Sequence, residues 1–207
     1  MRVAVRHGVS RSTNCVDAAP TPSISASTRA VTVIVFAWAI AFSLVAPADT
    51  RQRACTFPGV KVRCEAPSGG ASIEWREQNG TQRHQLFLRV RSEVKQVLIH
   101  EFGRSVDVLW SPDGRALAIT DHAESTDSAV WVVKLDAPDH PVNVESAFKV
   151  TFGAVPDINR NGHRYFQATV WRTPSILEFS IKAHDVAPNR EYNGRFLYRL
   201  DGTVQRR

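Results

Sequence analysis

The chain has 207 residues, 43 % of them hydrophobic, with 26 basic and 20 acidic side chains and a formal charge of +6. Four of the arginines and one acid precede position 49, so residues 49–207 carry 22 basic against 19 acidic groups, a net +3 interleaved along the chain. That balance lacks the basic stripe of a nucleic-acid-binding protein, and the length suits one domain around one core.

The first 48 residues read as a disordered n-region followed by a signal peptide. Thr13 to Thr28 is rich in Ser, Thr, Ala and Pro and has no hydrophobic period. Val31 to Ala48 is an unbroken apolar run ending in Ala46-Pro47-Ala48, and Asp49, Arg51 and Arg53 follow at once. As a helix, Val31 to Ala46 would span only ~24 Å against a hydrocarbon core of ~30 Å. Small residues at Ala46 and Ala48 suit a signal peptidase, and Arg2, Arg6, Arg11 and Arg29 form the basic flank. No Arg-Arg pair precedes the run, which favours general secretion over twin-arginine export. A true start downstream of Met1, leaving Arg29 as the whole basic flank, is the alternative reading of the long n-region. Cleavage after Ala48 leaves one exported domain, Asp49 to Arg207, of 159 residues, in the periplasm or secreted. The competing reading is an uncleaved form anchored in the membrane, with the same residues outside the cytosol.

Cys15 belongs to the leader. Cys55 and Cys64 then remain as an even pair in an oxidising compartment, with Pro58-Gly59 as a turn between them. A short disulfide-closed hairpin is expected, contributing roughly 2 to 3 kcal/mol through loop closure.

Period-two patterns then dominate. Ile73 and Trp75 alternate with Glu74 and Arg76; Leu86, Leu88 and Val90 with Phe87, Arg89 and Arg91; Val106, Val108 and Trp110 with Asp107 and Leu109. Further strands are predicted at Val94 to His100, Arg115 to Thr120, Ala129 to Leu135, Ala147 to Phe152, Arg164 to Arg172, Ser175 to His184 and Arg195 to Leu200. Turns fall at Asn79-Gly80, Pro112-Asp113-Gly114, Asn161-Gly162, Asn193-Gly194 and Asp201-Gly202. The pattern is an all-β antiparallel meander of about ten strands, and Arg206-Arg207 reads as a solvated tail.

Leu109 to Thr120, which carries Ser111-Pro112-Asp113-Gly114, followed by Ala129 to Leu135, resembles a WD40-like β-propeller repeat of the kind found in the periplasmic propeller of the Tol-Pal system. Pro112 presets φ for the turn, Gly114 tolerates positive φ, and Trp110 and Leu117 bracket the hairpin as packing partners. The resemblance covers Val106 to Leu135. The glycines of the Asn-Gly and Asp-Gly turns lie 34, 48 and 40 residues apart from Gly80 through Gly114 and Gly162 to Gly202. These intervals bracket a propeller blade of ~40–45 residues. Four blades would consume the whole mature chain, so a β-sandwich-like meander ranks first and a minimal or partial β-propeller second. The resemblance implies action by protein contact at the cell envelope.

The chain contains no Gly-x-Ser-x-Gly elbow, His-Glu-x-x-His helix, Walker loop or Gly-x-Gly-x-x-Gly turn. His122-Ala123-Glu124 opens like a zinc deaminase motif, but no Pro-Cys-x-x-Cys completes it. His84, His100, His122, His140, His163 and His184 form no readable triad and are expected at surfaces or strand ends. Asp157, Asn159 and Asn161, with Gly162, reproduce the opening of a calcium loop. Its twelfth position is Ala168, and Arg160 and Arg164 oppose a cation, so an Asx-rich turn is preferred. Asp121, Glu124 and Asp127 read as a solvated loop, and no metal or other cofactor is expected.

Trp75 and Trp110 share parity with apolar neighbours and are assigned to the core. On the Arg164 strand a strict period of two puts Phe166, Ala168 and Val170 inward. Tyr165, Gln167, Thr169 and Trp171 then form an outward polar-aromatic surface, with Tyr165, Gln167 and Trp171 as the candidate binding residues. This assignment implies that Trp171→Ala spares stability. The leading functional expectation is a non-enzymatic exported domain that contacts an envelope protein. The alternative is a carbohydrate or small-ligand binding sandwich taking a glycan on that face, and the third is an unrecognised hydrolase.

Overall fold

The computed structural model describes residues 52, 54–78, 81–153, 162–184 and 191–207. The apolar run 31–48, and with it the expected signal peptide, lies outside these residues. So do Asp157, Asn159 and Asn161 of the calcium-like turn.

The described chain is all-β with one helix. In chain order the strands are β1 (Cys55–Phe57), β2 (Arg63–Glu65), β3 (Ala71–Glu77), β4 (His84–Val90), β5 (Gln96–Phe102), β6 (Val106–Trp110), β7 (Ala116–Asp121), β8 (Asp127–Lys134) and β9 (Ala137–Asn143). The helix α1 (Val144–Phe152) follows, and then β10 (His163–Thr173), β11 (Ile176–His184), β12 (Glu191–Arg199) and β13 (Val204–Arg206). Pairing groups them as three successive four-stranded antiparallel meanders, β2 to β5, β6 to β9 and β10 to β13. A four-stranded sheet repeated along the chain is the blade unit of a β-propeller, and in this sense the fold is propeller-like. β1 adds to β6, and the third meander joins the second through a two-residue parallel bridge, Arg164 to Asp127 and Tyr165 to Ser128.

The middle meander is covered on both faces. Val106, Val108, Trp110, Leu117 and Ile119 face a core shared with Ile73, Leu86, Leu88 and Phe102 of the first meander. Leu109, Ala116, Ala118, Val130 and Val132 face a second core with Phe166, Phe179, Phe196 and Tyr198 of the third. Every residue of β7 is therefore buried, and Ala116 to Ile119 read as an apolar run because neither side meets water, with Thr120 and Asp121 buried at its end. Two separate cores flanking one sheet distinguish this layering from a two-sheet sandwich.

The Ser111-Pro112-Asp113-Gly114 turn is built as its residues dictate. Ser111 Oγ donates to Asp113 Oδ1 (2.7 Å) and accepts from the Ala116 amide (2.9 Å), while Gly114 adopts φ +68°. Trp110 pairs directly with Leu117 across the hairpin.

Five local expectations are corrected, the first being the Asn193-Gly194 turn, which lies instead inside β12 opposite Lys182 and Ile181. Ala147 to Phe152 is helical: Asn143 caps α1 by accepting from the Ser146 amide (3.0 Å), Glu145 stands in the first turn and pairs with Lys149 at 2.7 Å, and Gly153 at φ 78° ends it. Val144 and Phe148, four residues apart, bury one face of it. Cys55 and Cys64 are bonded, but not across a hairpin, since β1 pairs with β6 and β2 with β3. The disulfide ties the first meander to the second. Asp121 is buried rather than solvated, held at 2.7 Å from His100 of β5, which is itself nearly buried instead of sitting at a surface. Finally, the C-terminal arginines are no free tail: Arg206 ends β13 and Arg207 reaches Glu178.

Candidate functional site

The expected binding face on β10 is where the structure departs most from a simple alternation. Gln167 pairs with Ser180 and Ala168 with Phe179, but Val170 then pairs with Glu178. Thr169 is a β-bulge, and one extra residue inverts the parity of everything after it. Phe166, Ala168 and Trp171 consequently share the inner face, while Tyr165, Gln167 and Val170 share the outer one.

Trp171 is 2 % exposed, packed in the second core, and its Nε1 donates to the Leu109 carbonyl at 2.9 Å. It cannot stack on a ligand from there. Tyr165 stays outward but half-buried, its hydroxyl donating to the Ser125 carbonyl (2.8 Å) beside the stacked rings of His163 and His184, 4.5 Å apart. Gln167 is exposed and borders a cleft of about 300 Å³ with Gln52, Asp107, Thr120 and Thr169.

A charged constellation, not an aromatic one, occupies the middle of this outer face. Glu178 of β11 lies between Val170 of β10 and Leu197 of β12. Its carboxylate is only 3 % exposed, yet it points away from the core, because Leu177 and Phe179 on either side point in. Arg172 Nε donates to it at 2.6 Å, Arg207 at 2.8 Å, and an Arg195 nitrogen lies 3.9 Å away. A buried carboxylate is tolerated when charged donors surround it. Here three arginines serve one acid, so the cluster carries net charge of about +2, and Lys182 and Arg199 extend the basic surface in register. Arg199 is itself paired with Asp201 at 3.5 Å; hydrogen bonds from Thr203 hold the Asp201 carboxyl below the usual range. The arginines remain half-exposed and able to meet an acidic surface.

Arg164 locks this sheet to its neighbours through Asp127 at 3.1 Å and Glu145 of α1 at 2.6 Å. Burial pulls its pKa down, but the Asp127 hydrogen bonds and both carboxylate charges outweigh that and raise it.

Elsewhere, Thr56, Asp107 and His122 are the group most like a catalytic triad. Thr56 Oγ donates to Asp107 Oδ1 (2.6 Å), and Asp107 Oδ2 lies 3.0 Å from His122 Nε2. A triad needs the hydroxyl on the imidazole. Here hydroxyl and imidazole both sit on the carboxylate, so the group orients His122 without activating Thr56. Among the described residues no cluster of three or more His, Cys, Asp or Glu side chains is placed to hold a metal ion.

Fold and site together define an all-β protein of blade-like meanders with a basic outer face. No protein-family model matches the chain, and no curated protein matches it at a significant level in sequence. Among solved structures it is similar to the β-propeller domain of the Trilobed protease from Pyrococcus furiosus, with 11 % identity and a TM-score of 0.45 over 70 % of this chain and 42 % of that one. It is also similar to Porphyromonas gingivalis dipeptidyl peptidase 4 (16 % identity, TM-score 0.43, 75 % of this chain and 26 % of that one). A third is TolB from Acinetobacter baumannii (13 % identity, TM-score 0.33, 70 % and 31 %). The chain thus spans less than half the length of each. These scores are low, and the propeller-like order of the sheets stands on the strand pairing itself.

Proposed function

We propose that this chain is an exported, non-enzymatic β-domain that acts by protein contact at the cell envelope, through the outer face of its third meander. The observation that carries the reading is the arginine-rich surface around Glu178. Three arginines converge on a single buried acid, and Lys182 and Arg199 stand beside them in register, which leaves a positive surplus for an acidic partner to neutralise. Tyr165 and Gln167 form the rim of the same face. The disulfide and the apolar leader with its Ala46-Pro47-Ala48 boundary support an oxidising, extracytosolic location, periplasmic or secreted.

The test is affinity purification of the tagged protein from envelope fractions, in parallel with an Arg195→Glu, Arg199→Glu double variant. Both positions are exposed, and matching far-ultraviolet circular dichroism and urea midpoints confirm that the variant keeps its fold before recovery is compared. The reading expects a defined protein retained by the wild type and lost from the variant. Equal recovery from both would refute it, and binding of neutral glycans on an array instead would favour the carbohydrate reading.

A further inference from the structure

On the opposite side of the molecule, the outward face of the first meander holds a cleft of about 420 Å³ lined by Arg63, Glu65, Gly69, Ser72, Arg89 and Arg91. Its construction follows from register. Ser72 on β3 pairs with Glu65 on β2 and with Arg89 on β4, so all three side chains leave the sheet on the same side. Arg63 stands two residues before Glu65 and Arg91 two after Arg89, which brings them to that side as well. The turn through Gly69, at φ 67°, closes one end, and a side chain there would meet nothing within 4 Å.

Two features of this cleft have no structural use. Ser72 is 1 % exposed, and its hydroxyl has no hydrogen-bond partner among the described residues. An unpaired buried hydroxyl is costly, and its two neighbours in the sheet are charged. The cationic groups are also in excess. Arg63 pairs with Glu65 at 2.7 Å and Arg89 is 3.7 Å from Glu74, which also serves Arg76, while Arg91 has no ion pair among the described residues. Counting the lining groups, three positive charges face one negative.

We infer that this cleft binds a tetrahedral oxyanion, a phosphate or sulfate group, with Ser72 Oγ–H donating from the floor and Arg89 and Arg91 clamping from one wall. Guanidinium forks match such oxygens with paired, charge-assisted hydrogen bonds, and donors arriving from the floor and two walls suit a tetrahedral group better than a planar carboxylate. Glu65 holds Arg63 in place on the facing wall. The volume is in the range of small-molecule sites and exceeds what a free ion fills, leaving room for a sugar-sized body carrying the group.

Isothermal titration of the purified protein in a buffer free of phosphate and sulfate tests this, with inorganic phosphate, glucose 6-phosphate, glucosamine 6-sulfate and glucose as probes. Saturable binding of at least one oxyanion and none of glucose is expected. Arg91→Gln, at an exposed position, is expected to weaken that binding about tenfold, as for loss of a charge-assisted contact. Ser72→Ala should weaken it about fivefold while leaving the urea midpoint unchanged or higher, since the lost hydroxyl bonds nothing in the unliganded protein. Tighter binding of an ester than of inorganic phosphate assigns the cleft to an esterified solute, and equal binding assigns it to the free ion; both uphold the site. No oxyanion binding below ~10 mM, or wild-type affinity in both variants, overturns it.

Discussion

Replacing Trp171 by alanine separates the two parities of β10 by a wide energetic margin. The indole is 2 % exposed in the second core, and its Nε1 donates at 2.9 Å to the carbonyl of Leu109 on the neighbouring meander. Truncating a buried Trp costs ~3 to 5 kcal/mol in lost transfer energy and residual cavity. With a urea m-value of ~2 kcal/mol/M for a domain of this size, a 4 kcal/mol loss lowers the midpoint by ~2 M. Gln167→Ala, on the exposed face of the same strand, provides the contrast and should stay within ~0.5 kcal/mol of wild type. Trp171→Phe, which keeps most of the apolar volume and loses the N–H, should fall between. Urea unfolding followed by far-ultraviolet circular dichroism gives all three values. If Trp171→Ala unfolds within 0.5 M of the wild-type midpoint, the bulge does not invert the strand and the ring faces solvent after all.

Further outcomes follow from the same packing. Replacing Cys55 and Cys64 together by serine should cost about 2 to 3 kcal/mol, read from urea midpoints without reductant, and wild type in reductant should behave like the variant. Gly114→Ala forces a Cβ to within 2.6 Å of Ser68 Oγ at φ +68°, so a loss of about 1 to 2 kcal/mol is expected by thermal or urea unfolding. Arg172→Ala strips Glu178 of its closest donor and should cost ~1 to 3 kcal/mol, whereas Arg195→Ala, 3.9 Å away and exposed, should be nearly silent. Partial burial raises the pKa of Glu74, but hydrogen bonds from Arg76 and Gln96 and the charges of Arg76 and Arg63 outweigh it, and the net shift is down. A folded pKa below the unfolded one means that the contribution of Glu74 is present above the ordinary carboxylate range and disappears as pH falls through the folded value. Glu74→Gln should therefore flatten the acid limb of the stability profile.

The strands with clean alternation were legible in the sequence because one face of each meets a core: Ile73 with Trp75, Leu86 with Leu88, and Val106 with Val108 all lie where period two puts them. The Ser-Pro-Asp-Gly hairpin was legible for a different reason, since its turn chemistry is wholly local. What escaped was non-local or broke the period. β9 carries Pro138 and Pro141, which argue against a strand in the middle of a sheet but are tolerated at an edge, where β9 lies. α1 did carry signals, Asn143 before Glu145 and Gly153 after Phe152, with Val144, Ala147 and Phe148 at helical spacing; the short apolar run read equally as a strand. The bulge at Thr169 leaves no mark in composition, and it moved Trp171 from the binding face into the core. For the site itself, Glu178 between Leu177 and Phe179 announced an outward acid on a strand. Its partners Arg195 and Arg207 reach it only through the register of β12 and β13, which the chain order of residues does not display.

The most direct test of the central claim, action by protein contact through the third meander, is photo-crosslinking in intact cells. The crosslinking residue stands at exposed Gln205, which pairs with Leu197 beside the arginine cluster. A second chain carries it at Leu98, exposed on the first meander. A discrete higher-mass protein adduct is predicted from position 205, absent from position 98 and abolished when Arg195 and Arg199 are both changed to glutamate. No adduct from position 205, or one that survives the charge reversal, would contradict the account.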